Sequence, residues 1–293
     1  MKFTKIISAI LFSVIFSTLA TAAPYQIKDL FNAEDYNANA QLDLFWMERF
    51  FLKNYKFTGK EKVLEIGSAD GKIAARISSF TPNGKVLGID ISESMINFSN
   101  NKYIEVKNLS FMLRDAEDSS FYDENLNEFD VIVSFSTINW ITNQKTVLEG
   151  IYRSLKKDGK FYLRFSAKGP DPVLDIADKL TKSKRFKEYF TDFTDPTQRF
   201  TAEEYKTLLD DAKLHVISLV SAAARDKIDG IDNFMKHLKS GLPQYLYLRQ
   251  SDQNIADDYI ERLANIYLNT YPPKDDGTIF IYERYLEVVG SRE

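Results

Sequence analysis

The first half of the chain alternates short apolar segments with segments of helical spacing, and this alternation constrains the fold more than any other feature. Continuous apolar runs such as 131–133 are typical of strands that helices cover on both faces of a parallel sheet. The repeated order of strand, helix and strand therefore predicts the α/β class. The predicted strands are Lys62–Ile66, Lys85–Asp90, Ser110–Leu113, Phe129–Phe135 and Lys160–Phe165, and the predicted helices between them cover 72–80, 92–101 and 143–156.

The pattern becomes mainly helical after Ala167. Thr201 and Glu204 have the spacing of a capping box, which places the start of a helix there. We predict a doubly wound, mostly parallel sheet of seven strands, in a core of about 36–167, with a helical cap and closing strands over about 168–293. The later predicted helices are Asp175–Lys187, Thr201–Ala212, Asp229–Ser240 and Ser251–Asn269, and the later strands are His215–Ala222 and Thr278–Val289.

The first 22 residues have the three-part pattern of a secretory signal peptide. Lysines at the start precede an apolar run, Ile6–Leu19, and small residues follow it up to Ala22. We expect cleavage after Ala22, export of residues 23–293 to the periplasm or out of the cell, and no stable membrane insertion afterwards. The alternative is an uncleaved membrane anchor. The apolar run Ile6–Leu19 is shorter than the about 20 residues that a permanent span needs, which favours cleavage.

Composition excludes several classes of site. The chain has no cysteine, which excludes a thiol nucleophile, a cysteine-based zinc site and an iron–sulfur cluster. Its formal net charge of −4 gives no general attraction to nucleic acid, so no nucleic-acid partner is expected. Neither His215 nor His237 has acidic residues at metal-ligand spacing, so no metal site is predicted. The basic cluster Lys182, Lys184, Arg185 and Lys187 is typical of a solvated helix face.

The strongest local signal is the segment 63–72, in which a strand runs through a glycine-rich turn into a helix. Gly67 and Gly71 permit a tight turn and a close approach of the backbone to a ligand. A dinucleotide fingerprint needs further glycines at 69 and 72, where the chain has Ala69 and Lys72. A phosphate-binding loop needs four residues between its glycines, and only three intervene here. Both nucleotide motifs therefore fail on spacing.

The segment resembles the first motif of class I S-adenosylmethionine-dependent methyltransferases, acidic-x-Gly-x-Gly-x-Gly, with Ala69 in place of the middle glycine. Asp90 follows nineteen residues after Gly71, at the end of the second strand, and resembles the acid that binds the ribose hydroxyls. The same resemblance places Met95 near the adenine, and Asp115 and the Ala116 amide on its edge. It implies S-adenosyl-L-methionine as the cofactor. The implied cofactor-binding residues are Glu65, Gly67, Ser68, Ala69, Asp70, Gly71, Asp90, Ile91, Met95, Asp115, Ala116 and Ser134.

The segment after the fourth strand, 134–141, is similar to that of one branch of the family. This branch contains trans-aconitate methyltransferase, juvenile-hormone acid methyltransferase and the malonyl carrier-protein methyltransferase of biotin synthesis. Its members carry Gln-Trp or His-Trp where this chain has Asn139 and Trp140. Segments 232–241 and 267–289 resemble the cap helix and the ending of the same branch. The resemblance implies methyl transfer to a small acid or acyl group, with Asn139 and Trp140 in the acceptor pocket.

A carboxylate is already an anionic nucleophile at neutral pH, so its methylation needs alignment and exclusion of water rather than a general base. No catalytic acid or base is therefore assigned. Tyr36 and Gln41 are expected to close over the cofactor as in relatives, and the alternative for Trp140 is simple core packing. The alternatives for function are O-, N- or C-methylation of another small metabolite, and a non-catalytic protein that retains the fold. A monomer or a dimer is expected.

An export signal on such an enzyme raises a question of supply, because S-adenosylmethionine is made in the cytoplasm. Three resolutions remain open from the sequence: delivery into another cell, retention on a membrane, or an inefficient signal.

Overall fold

A computed structural model describes residues 30–40 and 42–293 of the chain. The predicted signal peptide, residues 1–22, and the predicted cofactor-closing residue Gln41 lie outside the described residues. The strands are β1 (Lys62–Ile66), β2 (Lys85–Asp90), β3 (Leu109–Leu113), β4 (Phe129–Phe135), β5 (Leu155–Ser166), β6 (His215–Asp229) and β7 (Thr278–Ser291). The helices of this part of the chain are α1 (Ala33–Asn39), α2 (Leu42–Met47), α3 (Lys72–Ser78), α4 (Glu93–Lys102), α5 (Ser119–Glu124), α6 (Gln144–Ser154), α7 (Pro172–Thr181), α8 (Ala202–Asp211), α9 (Ile231–Gly241), α10 (Pro243–Arg249) and α11 (Gln253–Thr270).

The strands form one sheet in the order β3-β2-β1-β4-β5-β7-β6. Neighbours from β3 to β5 pair in parallel, and β7 runs antiparallel to both β5 and β6. In the centre, Leu64 of β1 lies between Leu87 of β2 and Ile132 of β4. The sheet reverses its order between β1 and β4, and ligands bind in such sheets at that point, beyond the carboxyl ends of the strands. The predicted α/β class and seven-stranded, mostly parallel sheet are confirmed.

The central strands are buried on both faces. Val131, Ile132 and Val133 of β4 have no exposed surface, as the continuous apolar run predicts. Two apolar clusters cover the two faces: one includes Leu148 of α6, and the other includes Ile77 of α3. Burial of this kind fixes the directions in which the strand ends point and so positions the site.

The helices α7, α9, α10 and α11 enclose a further apolar cluster with residues next to α1 and with the ends of β6 and β7. Phe234 of α9 and Tyr259 of α11 are fully buried within it, and Tyr259 Oη donates to the Ala177 carbonyl of α7 at 2.8 Å. This cluster forms the cap over the carboxyl ends of the strands. Helix α8 packs instead on the sheet face that α6 covers. Of the described helices, none is long and apolar enough to cross a membrane.

The predicted capping box is present. Thr201 accepts from the Glu204 amide at 3.2 Å, and the Glu204 carboxylate accepts from the Thr201 amide at 2.8 Å. The start of the preceding helix was predicted wrongly, because Asp171 caps α7 and Pro172 occupies its first turn. The end was also wrong: α7 stops at Thr181, so the basic cluster at 182–187 follows the helix rather than lining it.

Candidate cofactor and acceptor site

The glycine-rich turn between β1 and α3 forms one wall of a cleft of about 270 Å³ at the carboxyl ends of the strands. Gly67 has a φ of +75°, and a Cβ there would lie 2.2 Å from Oγ1 and Cγ2 of Thr137. Gly71 has a φ of +77°, and a Cβ there would lie 2.6 Å from the Phe111 ring. The two glycines are therefore required by backbone conformation and by close packing against β3 and the segment after β4.

Ala69, which stands where the family motif has its middle glycine, also has a positive φ of 45°. Its amide donates to Oδ2 of Asp90 at 2.9 Å, which ties the turn to the end of β2. The other oxygen of Asp90, Oδ1, accepts from the Ser92 amide at 2.9 Å. These hydrogen bonds hold the carboxylate at the cleft wall.

Burial raises the pKa of Asp90, although the amides of Ser92 and Ala69 oppose that shift. A carboxylate has about four acceptor positions, so two backbone donors leave capacity for a vicinal diol. The unfilled capacity of Asp90 and the tight glycine turn both fit S-adenosylmethionine.

The structure brings most of the predicted site residues to the cleft but not all of them. Those that line it are Gly67, Ala69, Asp90, Ile91, Met95, Asp115, Ala116, Asn139 and Trp140. Those that lie outside the lining are Glu65, Ser68, Asp70, Gly71 and Ser134, all buried. Ser134 Oγ donates to the Ile66 carbonyl at 2.8 Å, so this side chain joins β4 to β1. Contact with the cofactor or the acceptor stays a prediction for the residues of both groups.

Two acids lie behind the turn. Burial and the nearby Asp70 raise the pKa of Glu65 well above its usual range. Asp70 pairs with Lys72 Nζ at 3.2 Å, and the same ammonium donates to the Ala40 carbonyl at 2.7 Å. Lys72 therefore connects the turn to the helices α1 and α2, which lie at the entrance of the cleft.

Tyr36, which was predicted to close over the cofactor, lies on α1 and lines the cleft. Its hydroxyl donates to Oδ2 of Asp43 on α2 at 2.8 Å. Burial raises the pKa of Asp43, while Lys72 and Tyr36 oppose that shift. The two helices thus place a polar pair beside the glycine turn.

Asn139 and Trp140 belong to a single 3₁₀ turn, Ile138–Trp140, directly after β4. Trp140 is half-buried, and its ring meets the Phe31 ring edge-on at 5.2 Å. It packs against the cap cluster and lines the cleft as well, so the pocket and packing interpretations both describe part of its surroundings. The Asn139 carbonyl accepts from the Gln198 amide at 2.6 Å, which brings the segment with Arg199 beside this turn.

Three side chains from α9 and β7 meet on the cap side of the cleft. His237 Nε2 lies 3.1 Å from Glu283 Oε1, and the Tyr285 hydroxyl donates to Glu283 Oε2. Burial opposes charge on the imidazole, but Glu283, and at longer range Asp43 and Asp226, raise the pKa of His237 above its usual value. Glu283 therefore favours the imidazolium form of His237, with which its carboxylate pairs.

A second buried network of side chains contacts His237 and Tyr285. Trp46 Nε1 donates to Asp226 Oδ2 at 2.7 Å, and the Trp46 ring meets the His237 ring edge-on at 6.0 Å. The Arg164 guanidinium stacks on Tyr285 at 3.6 Å from the ring centre and pairs with Glu287 at 3.3 Å. These contacts fix the rings of Trp46 and Tyr285 against β5, β6 and β7.

No group of three or more potential ligands arranged for a metal ion occurs within the described ranges.

The profile of a family described as methyltransferase domain matches residues 57–213, more than half of the chain. The chain belongs to this family. The matched range contains the glycine turn, Asp90 and Trp140, which together form the cofactor wall and the turn beyond β4. The family and solved complexes of the same fold support the predicted cofactor, S-adenosylmethionine.

Curated relatives are similar at low identity. Malonyl-[acyl-carrier protein] O-methyltransferase 2 of Ilyobacter polytropus is 26% identical over 209 residues, which cover 71% of this chain and 75% of the relative. Juvenile hormone acid O-methyltransferase of Bombyx mori is 29% identical over 128 residues, which cover 43% of this chain and 45% of the relative. The methyltransferase spans about half the length of several of the curated relatives that it matches.

Solved structures share the fold. The YcgJ protein of Bacillus subtilis superimposes with a TM-score of 0.55 at 18% identity, over 83% of this chain and 96% of its own. Phosphoethanolamine N-methyltransferase 2 of Haemonchus contortus, solved with phosphomonomethylethanolamine and S-adenosylhomocysteine, gives 0.53 at 19% identity, over 85% of this chain and 52% of its own. At these identities the likeness concerns the fold alone.

The methyltransferase has cleft residues that sequence reasoning missed. Asp171 is buried, and burial together with Glu283 raises its pKa to about 6. Arg199 pairs with Asp195 at 3.1 Å and lines the cleft. No local motif contains either residue, and His237 was weighed only as a metal ligand. The remaining signal was the family likeness of 232–241 and 267–289, which contain His237 and Glu283 but do not show which side chains meet.

Proposed function

We propose that the protein transfers the methyl group of S-adenosylmethionine to a carboxylate oxygen of a small acid or acyl group. The observation that carries the proposal is Arg199 in the cleft wall, on the segment that the Gln198 amide ties to Asn139. A guanidinium keeps its proton at any physiological pH and cannot act as a base, whereas it pairs well with carboxylates. The carboxyl O-methyltransferase activities of the relatives from Ilyobacter and Bombyx support the same class of acceptor.

When bound, S-adenosylmethionine supplies a methyl carbon on a positively charged sulfur. We assign its ribose to Asp90 and its adenine to the wall at Met95 and Ala116, which leaves the reacting end near the turn Ile138–Trp140. The acceptor oxygen forms a bond to the methyl carbon while the carbon–sulfur bond breaks, and the electron pair of that bond stays on sulfur. No proton moves in this step, so the residues of the chain need only align the acid and exclude water.

A second candidate is methyl transfer to a hydroxyl or an amine, which the environment of Asp171 favours. A buried carboxyl group in the cleft with a pKa of about 6 has the proton affinity expected of a general base near neutral pH. Asp43 and Glu283 add further acidic groups to the same cleft, as an acceptor that carries positive charge would require.

The two candidates are separated by matched acceptors. The full chain is incubated with methyl-labelled S-adenosylmethionine and with straight-chain carboxylic acids, α,ω-dicarboxylic acids, and alcohols and amines of the same chain lengths. We expect label only on acids, in a product that mild alkali hydrolyses, because methyl esters are labile to alkali while methyl ethers and N-methyl groups are not. Label on alcohols or amines alone would overturn the carboxylate proposal and support Asp171 as a base.

The role of Arg199 has its own variant. Removing a charged hydrogen bond costs about 1.5–3 kcal/mol, which is roughly ten- to a hundredfold in affinity. We expect Arg199→Gln to raise the KM for the acid by that factor and to leave cofactor affinity unchanged. Arg225→Gln is the matched control, because Arg225 lies on β6 against the Phe280 ring and outside the cleft lining.

A further inference from the structure

His237 lies on α9 in the lining of the cleft, and its surroundings set both its charge and its orientation. Its Nε2 faces Glu283 Oε1 at 3.1 Å. The other oxygen of Glu283 accepts from the Tyr285 hydroxyl, so the carboxylate cannot rotate away without losing one of two partners. The edge-on contact with the Trp46 ring restricts the imidazole on a further side.

The second ring nitrogen of His237 has a different environment. Nδ1 makes no hydrogen bond within residues 30–40 and 42–293, yet it is not sealed inside the protein. His237 lines the cleft, and Nδ1 is its ring nitrogen without a hydrogen bond to these residues, so we assign Nδ1 as the atom that meets a ligand. In an imidazolium both nitrogens are donors, so Nδ1–H can donate to an anion while Nε2–H donates to Glu283.

We propose that His237, held by Glu283 and Tyr285, binds the acceptor's carboxylate through Nδ1–H and selects anionic acceptors. This inference rests on the proposed carboxylate methylation and names a residue that the acceptor contacts. A charge-assisted hydrogen bond of this kind is about twice as strong as a neutral one. His237 aligns the acid but takes no proton from it, since a carboxylate has none to lose.

The charged groups around His237 come from several elements. The carboxyl and guanidinium groups are Asp43 on α2, Arg164 on β5, Asp171 before α7, Asp226 on β6 and Glu283 on β7, and the neutral phenol of Tyr285 lies beside Glu283. The acids favour the imidazolium, while burial disfavours it. Binding that needs the imidazolium is complete below the pKa of His237 and is lost as pH rises through it. Because that pKa is raised, the loss begins above about pH 6.5, the ordinary value for histidine.

The test compares His237→Gln with His215→Gln. His215 is the other histidine of the chain, lies at the start of β6, pairs with Glu293, and is half exposed, so it serves as a matched control. We measure KM and kcat for the best acid of the panel above between about pH 5.5 and 9, with calorimetric titration of S-adenosylmethionine and a thermal melt. His237→Gln should raise the acid's KM roughly ten- to a hundredfold, with kcat and cofactor affinity within a few-fold.

The pH profile separates His237 from Asp171, which also titrates in the cleft. In the wild type and in His215→Gln, kcat/KM for the acid should fall as pH rises. In His237→Gln, the decrease in kcat/KM that results from deprotonation of His237 should be absent. Glu283 also raises the pKa of Asp171, so Glu283→Gln is made in an Asp171→Asn background. There the fall should begin at a lower pH than in Asp171→Asn alone, because the charge that raises the pKa of His237 is gone. This second variant keeps the test decisive if His237→Gln fails to fold.

Three outcomes count against the inference, and they differ in what else they overturn. If acids are methylated and His237→Gln leaves their KM unchanged, the inference is wrong and the proposed function stands. If Glu283→Gln leaves the pH of the fall unchanged in the Asp171→Asn background, the pairing is not what sets the imidazolium charge. If only alcohols or amines are methylated, and kcat/KM rises with pH in the wild type but not in His237→Gln, His237 is a base and the proposed function is wrong too.

Discussion

At the carboxyl end of β2, the carboxylate of Asp90 accepts from the amides of Ala69 and Ser92 and faces the cleft. We expect Asp90→Ala to weaken S-adenosylmethionine binding by roughly ten- to a hundredfold, since a charged hydrogen bond contributes about 1.5–3 kcal/mol. Calorimetric titration measures the change. Asp90→Asn keeps one carbonyl oxygen, so its affinity for S-adenosylmethionine should lie between those of the wild type and Asp90→Ala. Equal affinity in Asp90→Ala and wild type would show that Asp90 does not bind the ribose.

At Gly67 the prediction is steric. A Cβ would fall 2.2 Å from Thr137 side-chain atoms, and a φ of +75° strains a β-branched residue further. We expect Gly67→Val to abolish measurable cofactor binding at concentrations that saturate the wild type. Gly277→Val is the control, because Gly277 has a similar φ of +80°, no atom lies within 4 Å of a Cβ added there, and the residue lies outside the cleft lining. Unchanged binding in Gly67→Val would contradict the assignment of the turn.

Among the elements, the 3₁₀ turn Ile138–Trp140 links β4 to the cap. Replacing a fully buried tryptophan by alanine lowers the free energy of unfolding by about 3–5 kcal/mol. Trp140 is half-buried, so Trp140→Ala should lower it by less. We expect Trp140→Ala to raise the acceptor KM while S-adenosylmethionine affinity stays within a few-fold. Trp140→Phe, which keeps a ring but not the N–H donor, separates contact area from hydrogen bonding. If Trp140→Ala instead loses about 3–5 kcal/mol of stability in a thermal melt, and binds both the acceptor and S-adenosylmethionine more weakly, Trp140 is a packing residue.

The first turn of α7 carries a stability prediction. Asp171 accepts from the amides of Leu174 at 3.0 Å and Arg284 at 3.2 Å, while burial and Glu283 raise its pKa to about 6. The folded state holds this proton more tightly than the unfolded chain, whose aspartate pKa is about 3.9. The folded state therefore loses stability as pH rises from about 3.9 to about 6, and the loss is complete above that range.

Asn caps helices about as well as Asp and mimics the protonated form. We expect Asp171→Asn to raise Tm relative to wild type near pH 8 and to raise it much less near pH 4, where aspartate in the unfolded chain is about half protonated too. Thermal melts at the two pH values test this. A difference that is the same at both, or that is negative near pH 8, would contradict the raised pKa.

The accuracy with which the sequence predicts a strand or helix depends on how that element is buried. The core strands β1, β2 and β4 were predicted with the bounds that the structure has, because helices cover both of their faces and their apolar runs are continuous. The strand β6 runs seven residues beyond the predicted Ala222, to Asp229, because β7 pairs with it along its whole length. The short helices α5 and α10 were missed, since six or seven residues are too few to show a helical period.

At the scale of the whole molecule, the two halves of the site differ in how they are encoded. The cofactor wall comes from contiguous motifs, such as 63–72, in which spacing alone indicates geometry. The acceptor half combines residues far apart in the chain, such as Trp46, Asp171, Arg199 and His237, which only the packing of the cap onto the sheet brings together. Pairwise contacts such as His237 with Glu283 span 46 positions, and no local pattern indicates them.

Methyl transfer from S-adenosylmethionine to a carboxylate is tested most directly when both products of one reaction are quantified. The full chain, methyl-labelled S-adenosylmethionine and the panel of acids are combined, and S-adenosylhomocysteine and alkali-labile methyl ester are quantified together. Carboxylate methylation should give equal amounts of the two products over many turnovers, and neither product should form with the matched alcohols and amines. Cofactor binding without turnover on any acceptor, or label in alkali-stable products alone, would contradict it.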